Sequence, residues 1–339
     1  IYNNQLRQPA SRFHTDPIPT MGAQKVAPTE NAGVAMACMG YMLCSSLMLI
    51  ANKLAVHFFA APGIVLILQL GLTAVCVKAA GMAKLIVVDD LEWAKVKPYT
   101  LVAVAFLSTI YTNIRTLQYA NVETFIVFRA STPILVSIAD WIFLGRELPG
   151  VQSALCLLGL LLGACGYVFT DKNFEVKGYL WVIVWYSVFC FDQIYLKHAA
   201  DTVKMSSNWG KVYYSNLLAC VPLLILAVGN QEVDIISEAP SFSAIIAVGL
   251  SCVLGVAMSY FAWLARSLIS ATYFTVVGNT CKIITIIINR VIWDKHASNT
   301  GLGFLLLCLV AAYYYKQAPK RKSIQQEVKM DKLNPKSPV

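Results

Sequence analysis

Residues 33–316 form a nearly unbroken series of apolar stretches, each about as long as a bilayer is thick, and this constrains the chain more than anything else in it. A helix needs roughly 20 mostly apolar residues to cross the hydrocarbon layer. Ten such stretches can be drawn, over 33–52, 62–84, 99–119, 122–144, 151–170, 177–199, 209–229, 242–265, 271–293 and 299–316. Of the 339 residues, 58% are hydrophobic and 13% charged, against a charged share near 25% in soluble domains. The mean hydropathy is +0.62. The spacing therefore predicts an all-α membrane protein of ten transmembrane helices, with small residues such as those of GLLLGACG (159–166) at helix–helix contacts.

The flanks are different. Residues 1–32 are polar and carry Pro9, Pro17, Pro19 and Pro28, without the apolar core of a signal peptide. They read as a disordered cytosolic tail, and 317–339 as a basic cytosolic tail. Between them, 33–316 reads as one transporter domain in two halves, about 33–172 and 176–316. With both termini on one side, most lysines and arginines fall on that side, Arg266 among them in the eighth connection. Lys53, Lys172, Lys177, Arg290 and Lys295 fall on the other, which makes the termini cytosolic. The net charge of +9 is then mostly a topology signal. A nucleic-acid partner would want a clustered basic face, and the only cluster is Lys320-Arg321-Lys322 in the tail.

The ten cysteines are scattered singly in or beside apolar runs, without metal-ligand or CxxC spacing, and read as small packing residues. His14 lies in the tail, and His57, His198 and His296 lie at span ends, none with a helical partner at metal spacing. An enzyme would need a titratable cluster or a nucleophile beside a base, so neither catalysis nor a cofactor or metal is expected.

Three cations stand inside the apolar runs, Arg115, Arg129 and Lys282. A charge at the bilayer centre costs roughly 2.5–3.5 kcal/mol on insertion scales, so it faces a partner or a cavity. Laid over each other at an offset of 149, residues 121–143 and 270–292 match at Phe125/Phe274, Val127/Val276, Ile134/Ile283 and Ile138/Ile287. Arg129 then falls four residues, about one turn, from the position of Lys282. This predicts two inverted five-helix repeats, since five spans are odd, with a midplane site between them. Two readings stay open for Arg129 and Lys282. They bind an anion, or they pair with Glu123, Asp140 or Asp192. An arginine fork and a lysine point charge together suit a phosphate.

Further candidates lie nearby. In GNTCK, Gly278 permits close backbone approach, while Asn279 and Thr280 offer donors and acceptors beside Cys281. In YYSN, Tyr213 or Tyr214 suits an aromatic belt, and Ser215 and Asn216 could read a base edge. Ser259 lies in the next span.

The stretches ANVETFIVFRASTP, GRELP, GYVFTD, YLKH, SYFAWLARSLISATYFTV and WDKHAS resemble the nucleotide-sugar transporters of the drug/metabolite transporter superfamily, above all plant-type Golgi GDP-sugar transporters. The likeness covers about 33–316. It implies a Golgi membrane protein that exchanges a nucleotide sugar (GDP-mannose, GDP-fucose or GDP-galactose) for lumenal GMP by alternating access. Its partners would be those ligands, the lipid bilayer and, as one arrangement, a second copy in a homodimer. Family members pair F-Y-N-N with G-A-L-N-K, where this chain has YYSN (213–216) and GNTCK (278–282). The resemblance thus puts Tyr214, Ser215, Asn216 and Ser259 near the base. It puts Gly278, Asn279, Thr280, Cys281 and Lys282 near the diphosphate and sugar, and Tyr41, Phe125 and Phe274 on the cavity wall. Ser215 and Cys281 replace family asparagines, and Phe125 and Phe274 lack a hydroxyl present in the fungal branch. A UDP-sugar carrier and a triose-phosphate or phosphoenolpyruvate translocator remain alternatives on the same fold.

Overall fold

The computed structural model describes residues 28–119, 122–169, 179–230, 232, 241–293 and 299–321. Residues 1–27 and 322–339, on which the expectation of disordered tails mostly falls, lie outside the described residues. So do the side chains of Lys53, Phe125 and Lys282, whose backbones are helical.

Apart from short connections and one isolated bridge, the described residues are helical. The helices are α1 (Pro28–Phe58), α2 (Pro62–Met82), α3 (Trp93–Tyr119), α4 (Val122–Phe143), α5 (Val151–Phe169), α6 (Tyr179–Thr202), α7 (Asn208–Gly229), α8 (Phe242–Leu268), α9 (Ala271–Trp293) and α10 (Asn299–Tyr314). In hydrocarbon every backbone N–H and C=O must be satisfied within the chain, and a helix does that locally. Among the described residues four helices are long and apolar enough to cross a membrane, over Ala32–Phe58, Pro62–Met82, Asn208–Gly229 and Phe242–Leu268. Leu43, Leu72, Val75, Ile225 and Val253 on these helices are exposed, as a lipid-facing surface requires.

Several boundaries differ from expectation. Helix α1 starts at Pro28, inside the stretch read as a tail, because proline at a first helical position lacks only an N–H that would be unpaired anyway. Helix α8 runs to Leu268, so Arg266 belongs to the helix and not to the connection after it. The tail, too, is folded at its start. Arg146 and Lys320 form an isolated bridge, and Glu147 N and Arg321 N bond Pro319 O and Gly145 O at 3.0 and 2.8 Å. Gly145 has φ of 63°, and Arg146 N donates to Asp140 O at 3.1 Å, the left-handed stop that ends α4.

The helices pair across the two halves of the chain. Helix α1 packs on α8, α3 on α6, α2 on α7, α5 on α10 and α4 on α9. Close approach is enforced at Gly40, where an added Cβ would stand 2.4 Å from the Phe261 ring on α8. At Gly163 it would meet Cys308 Sγ on α10 at 2.5 Å. All ten cysteines are free, and most are buried.

Candidate functional site

A cavity of about 300 Å³ lies between α1, α2, α3, α6, α7 and α8, near the lower end of the range for small-molecule sites. Most of its wall is apolar, with Met48, Leu66, Leu70, Val102, Phe106, Leu196 and Met258. The polar groups on it are few. They are Tyr41 from α1, Gln69 from α2, Ser215 and Asn216 from α7, and Ser259, Trp263 and Arg266 from α8.

The helical period explains the α8 set. Ser259, Trp263 and Arg266 are spaced four and three apart, so one face of α8 carries all three. They interlock with α7. Trp263 Nε1 donates to Ser215 Oγ at 2.9 Å, and Ser259 Oγ donates to Asn216 Oδ1 at 3.3 Å. Ser215 Oγ in turn donates to Lys211 O at 2.8 Å, and Asn216 Nδ2 to Val212 O at 2.7 Å. An amide carries two N–H donors and an oxygen with two lone pairs, so Asn216 keeps one of each for a ligand. Another polar group sits on α2. Gln69 is buried and donates to Asn52 Oδ1 at 2.8 Å and Ser251 Oγ at 3.0 Å, tying α2 to α1 and α8.

Arg266 lies over Phe274. Its guanidinium carbon stands 3.7 Å from the ring centroid, and the Tyr41 ring packs against the same phenylalanine at 4.7 Å. Arg266 Nη2 donates to Gln193 Oε1 at 3.4 Å.

On the face that carries the α2–α3 and α6–α7 connections, an aromatic cluster packs behind Trp263 of the wall. Tyr99 is fully buried between Tyr214 and Trp263, at 5.6 and 5.5 Å between ring centroids. Beyond it, Asp89 in the α2–α3 connection accepts from Ser206 N and Oγ at 3.1 and 3.0 Å and pairs with Lys95 at 3.1 Å. Burial opposes ionisation of Asp89, but the bonds from Lys95 and Ser206 outweigh it and hold the carboxyl below its ordinary value.

Four residues singled out from sequence therefore meet on this cavity: Tyr41, Ser215, Asn216 and Ser259. Gly278 approaches it, since a Cβ there would stand 3.7 Å from the Tyr41 hydroxyl. The rest are placed elsewhere, and each has a reason. Tyr214 is fully buried away from the cavity, its hydroxyl donating to Asp90 O and accepting from Glu92 N, because it points 100° around α7 from Ser215. Asn279 donates to Arg129 O at 3.2 Å, joining α9 to α4. Thr280 and Cys281 bond back to Val276 O and Val277 O within α9, and Cys281 packs with Tyr41 and Phe274. Phe274 lies behind the wall, as the platform under Arg266.

Arg129 does not line the cavity. It lies over the Phe189 ring at 5.0 Å, its Nε has no hydrogen-bond partner, and among the described residues no ion pair joins it to Asp140 or Asp192, while the Glu123 side chain lies outside the described residues. Asp140 instead caps α9, accepting from Thr272 N and Oγ1 at 2.9 and 2.6 Å. Arg129 and Arg266 both lie within electrostatic reach of the Tyr41 phenol. Phe125 and the Lys282 side chain are outside the described residues, although Lys282 stands one turn beyond Gly278 on α9. Arg266, Gln69 and Trp263 were not singled out from sequence. The signal for Arg266 was its spacing of seven from Ser259 within an apolar run.

Comparison with known proteins identifies the family. Residues 32–312 match the Triose-phosphate Transporter family. The chain is similar to an Arabidopsis thaliana protein named GDP-fucose transporter 1, at 39% identity over 83% of this chain and 85% of that protein. It is also similar to one named GDP-mannose transporter GONST3 from the same organism, at 35% identity over 88% and 82%. A solved crystal structure shares the fold at a TM-score of 0.65 and 14% identity, covering 84% of this chain and 96% of that one.

Proposed function

The chain belongs to the Triose-phosphate Transporter family, and from that premise we propose that it carries a GDP-sugar across a membrane in exchange for GMP by alternating access. Relatives at 39% and 35% identity bear the names of GDP-fucose and GDP-mannose transporters, which supports the guanine class and leaves the sugar open. The observation that carries the reading is the meeting of Tyr41, Ser215, Asn216 and Ser259 on one largely apolar cavity. Such a wall suits a flat heterocycle, and a few fixed hydroxyl and amide groups orient it.

The helix pairing supports two inverted five-helix repeats within a ten-span bundle. Exchanging each helix with the one five places away turns α1–α8 into α6–α3 and returns α2–α7, α4–α9 and α5–α10 to themselves. The packing of Tyr99 between Tyr214 and Trp263 supports the alternating-access reading, since one of its states needs one face held shut. The distribution of lysine and arginine supports a cytosolic position for that face and both termini, and the resemblance to plant-type carriers supports the Golgi as the membrane. By the same resemblance, Lys282 and Gly278 of α9 serve the diphosphate and sugar and Phe125 lies on the wall, with Arg129 as a second cation, while Asn279, Thr280 and Cys281 hold α9 in place and Phe274 backs the wall beneath Arg266.

Melting of the purified protein with GMP, UMP, CMP and AMP tests the base. GMP alone is expected to raise the melting temperature. Protection by UMP would make the chain a UDP-sugar carrier, and protection by triose phosphate without base preference would make it a sugar-phosphate translocator. Uptake of GDP-sugar into GMP-loaded liposomes tests exchange, and equal uptake into empty liposomes would refute it.

A further inference from the structure

We propose that Arg266 is a phosphate-anchoring residue of the cavity, and that Asp192, acting through Gln193, is its counter-charge in the empty carrier. The inference rests on reading the cavity as a nucleotide site. It begins from a cation on the cavity wall that makes no direct ion pair. Arg266 lines the cavity and has one side-chain bond, a long one of 3.4 Å to Gln193 Oε1. A guanidinium offers five N–H donors, all in its own plane. Phe274 occupies one face of that plane at 3.7 Å and so fixes its tilt without using a donor. The edge of the fork stays available, and a phosphate can accept from it in the bidentate manner that a lysine cannot offer.

The charge is balanced indirectly. Asp192 on α6 is 3% exposed, lies within electrostatic reach of Arg266, and forms no ion pair with it. Gln193 stands between them, accepting from Arg266 and donating from Nε2 to Asp192 Oδ2 at 3.0 Å. Asp192 Oδ1 has no hydrogen-bond partner. A carboxylate in direct contact would compete with an incoming phosphate for the fork. One held a residue away stabilises the arginine when the cavity is empty and leaves its donors free. It also weakens the hold on a bound phosphate, which favours release in a carrier that must let go on both faces. The position suits a nucleotide. Arg266 lies seven residues from Ser259, about 10 Å along α8, so base and phosphate could be read from one helix face.

Binding of GMP and of guanosine to the purified full-length protein, followed by thermal shift, separates the phosphate contribution from the base contribution. In the wild type GMP is expected to bind at least about tenfold tighter than guanosine, as a charge-assisted contact supplies. Arg266→Gln should remove that ratio and leave guanosine binding unchanged, and Arg266→Lys should restore part of it. Asp192→Asn should tighten GMP severalfold without affecting guanosine, and should lower the maximal exchange rate in liposomes. Unliganded melting temperatures check that each variant is folded. A ratio that survives in Arg266→Gln overturns the anchor, and unchanged GMP affinity and rate in Asp192→Asn overturn the counter-charge. If UMP and not GMP protects the wild type, the guanine reading fails, while the ratio of UMP to uridine still decides Arg266. A wild type indifferent to the phosphate group overturns the proposal outright.

Discussion

The α7–α8 wall and the GNTCK segment of α9 look alike as sequence, each a few polar residues set in an apolar run, yet they use those residues in opposite ways. On α7 and α8, Ser215, Asn216, Ser259 and Trp263 bond to one another or to their own helices, Arg266 bonds to Gln193 on α6, and all five still open on the cavity. On α9, Asn279 ties to the Arg129 carbonyl, and Thr280 and Cys281 bond back to their own helix. In hydrocarbon a polar side chain must be satisfied within the protein. What separates a binding group from a packing group is whether any capacity is left over and faces open space. A count of polar residues in an apolar run cannot supply that distinction.

The difference can be broken or sharpened by substitution. The largest effect is expected for Lys282→Ala, which should abolish exchange while the protein stays inserted and folded, with Lys282→Met as a control that keeps the stem. Exchange at the wild-type rate would mean that α9 supplies packing alone. Next is Asn216→Ala, which should weaken GMP binding by about tenfold, the order of a lost hydrogen bond with its partner left behind. Binding unchanged in thermal-shift titration would move the base contact off α7. Asn279→Ala should act the other way, lowering stability by about 1 kcal/mol through the lost α9–α4 bond and changing nucleotide affinity little. A large loss of affinity with normal melting would place Asn279 in the site.

The smallest effect lies outside both regions. Asp89 is held below its ordinary value by Lys95 and Ser206, against the opposing effect of burial. Its folded value lies below its unfolded one, so its contribution is complete above about pH 4 and is lost as the pH falls through the folded value. Asp89→Asn should lower the melting temperature at neutral pH and flatten its dependence at acid pH. An identical acid profile in the variant would show that another carboxyl governs it.

Part of the cavity wall could be read in advance, and the residues that fall elsewhere are instructive. Ser215, Asn216 and Ser259 were found because a polar residue in an apolar span needs a reason, and Tyr41 because it matches a tyrosine of the family the chain resembles. Tyr214 was grouped with its neighbours by adjacency, but successive residues on a helix are 100° apart, and it packs against Tyr99. Arg266 was counted with the connections because the apolar window ended at residue 265, whereas the helix runs to Leu268. Asp192 was considered as a partner for Arg129 or Lys282. It sits by Arg266 because α6 reaches α8.

The sequence alone determined the class of the molecule. Its apolar content and the lengths of its runs leave helices in a bilayer as the only way to satisfy the backbone, and its motifs carry the family. The tertiary structure decided which polar atoms face the cavity and which are spent on neighbours. Helical periodicity defines faces, but which face meets open space depends on partners distant in the chain. Helix α8 is set by α1 and α7, and α9 by α4, and no local pattern records those contacts.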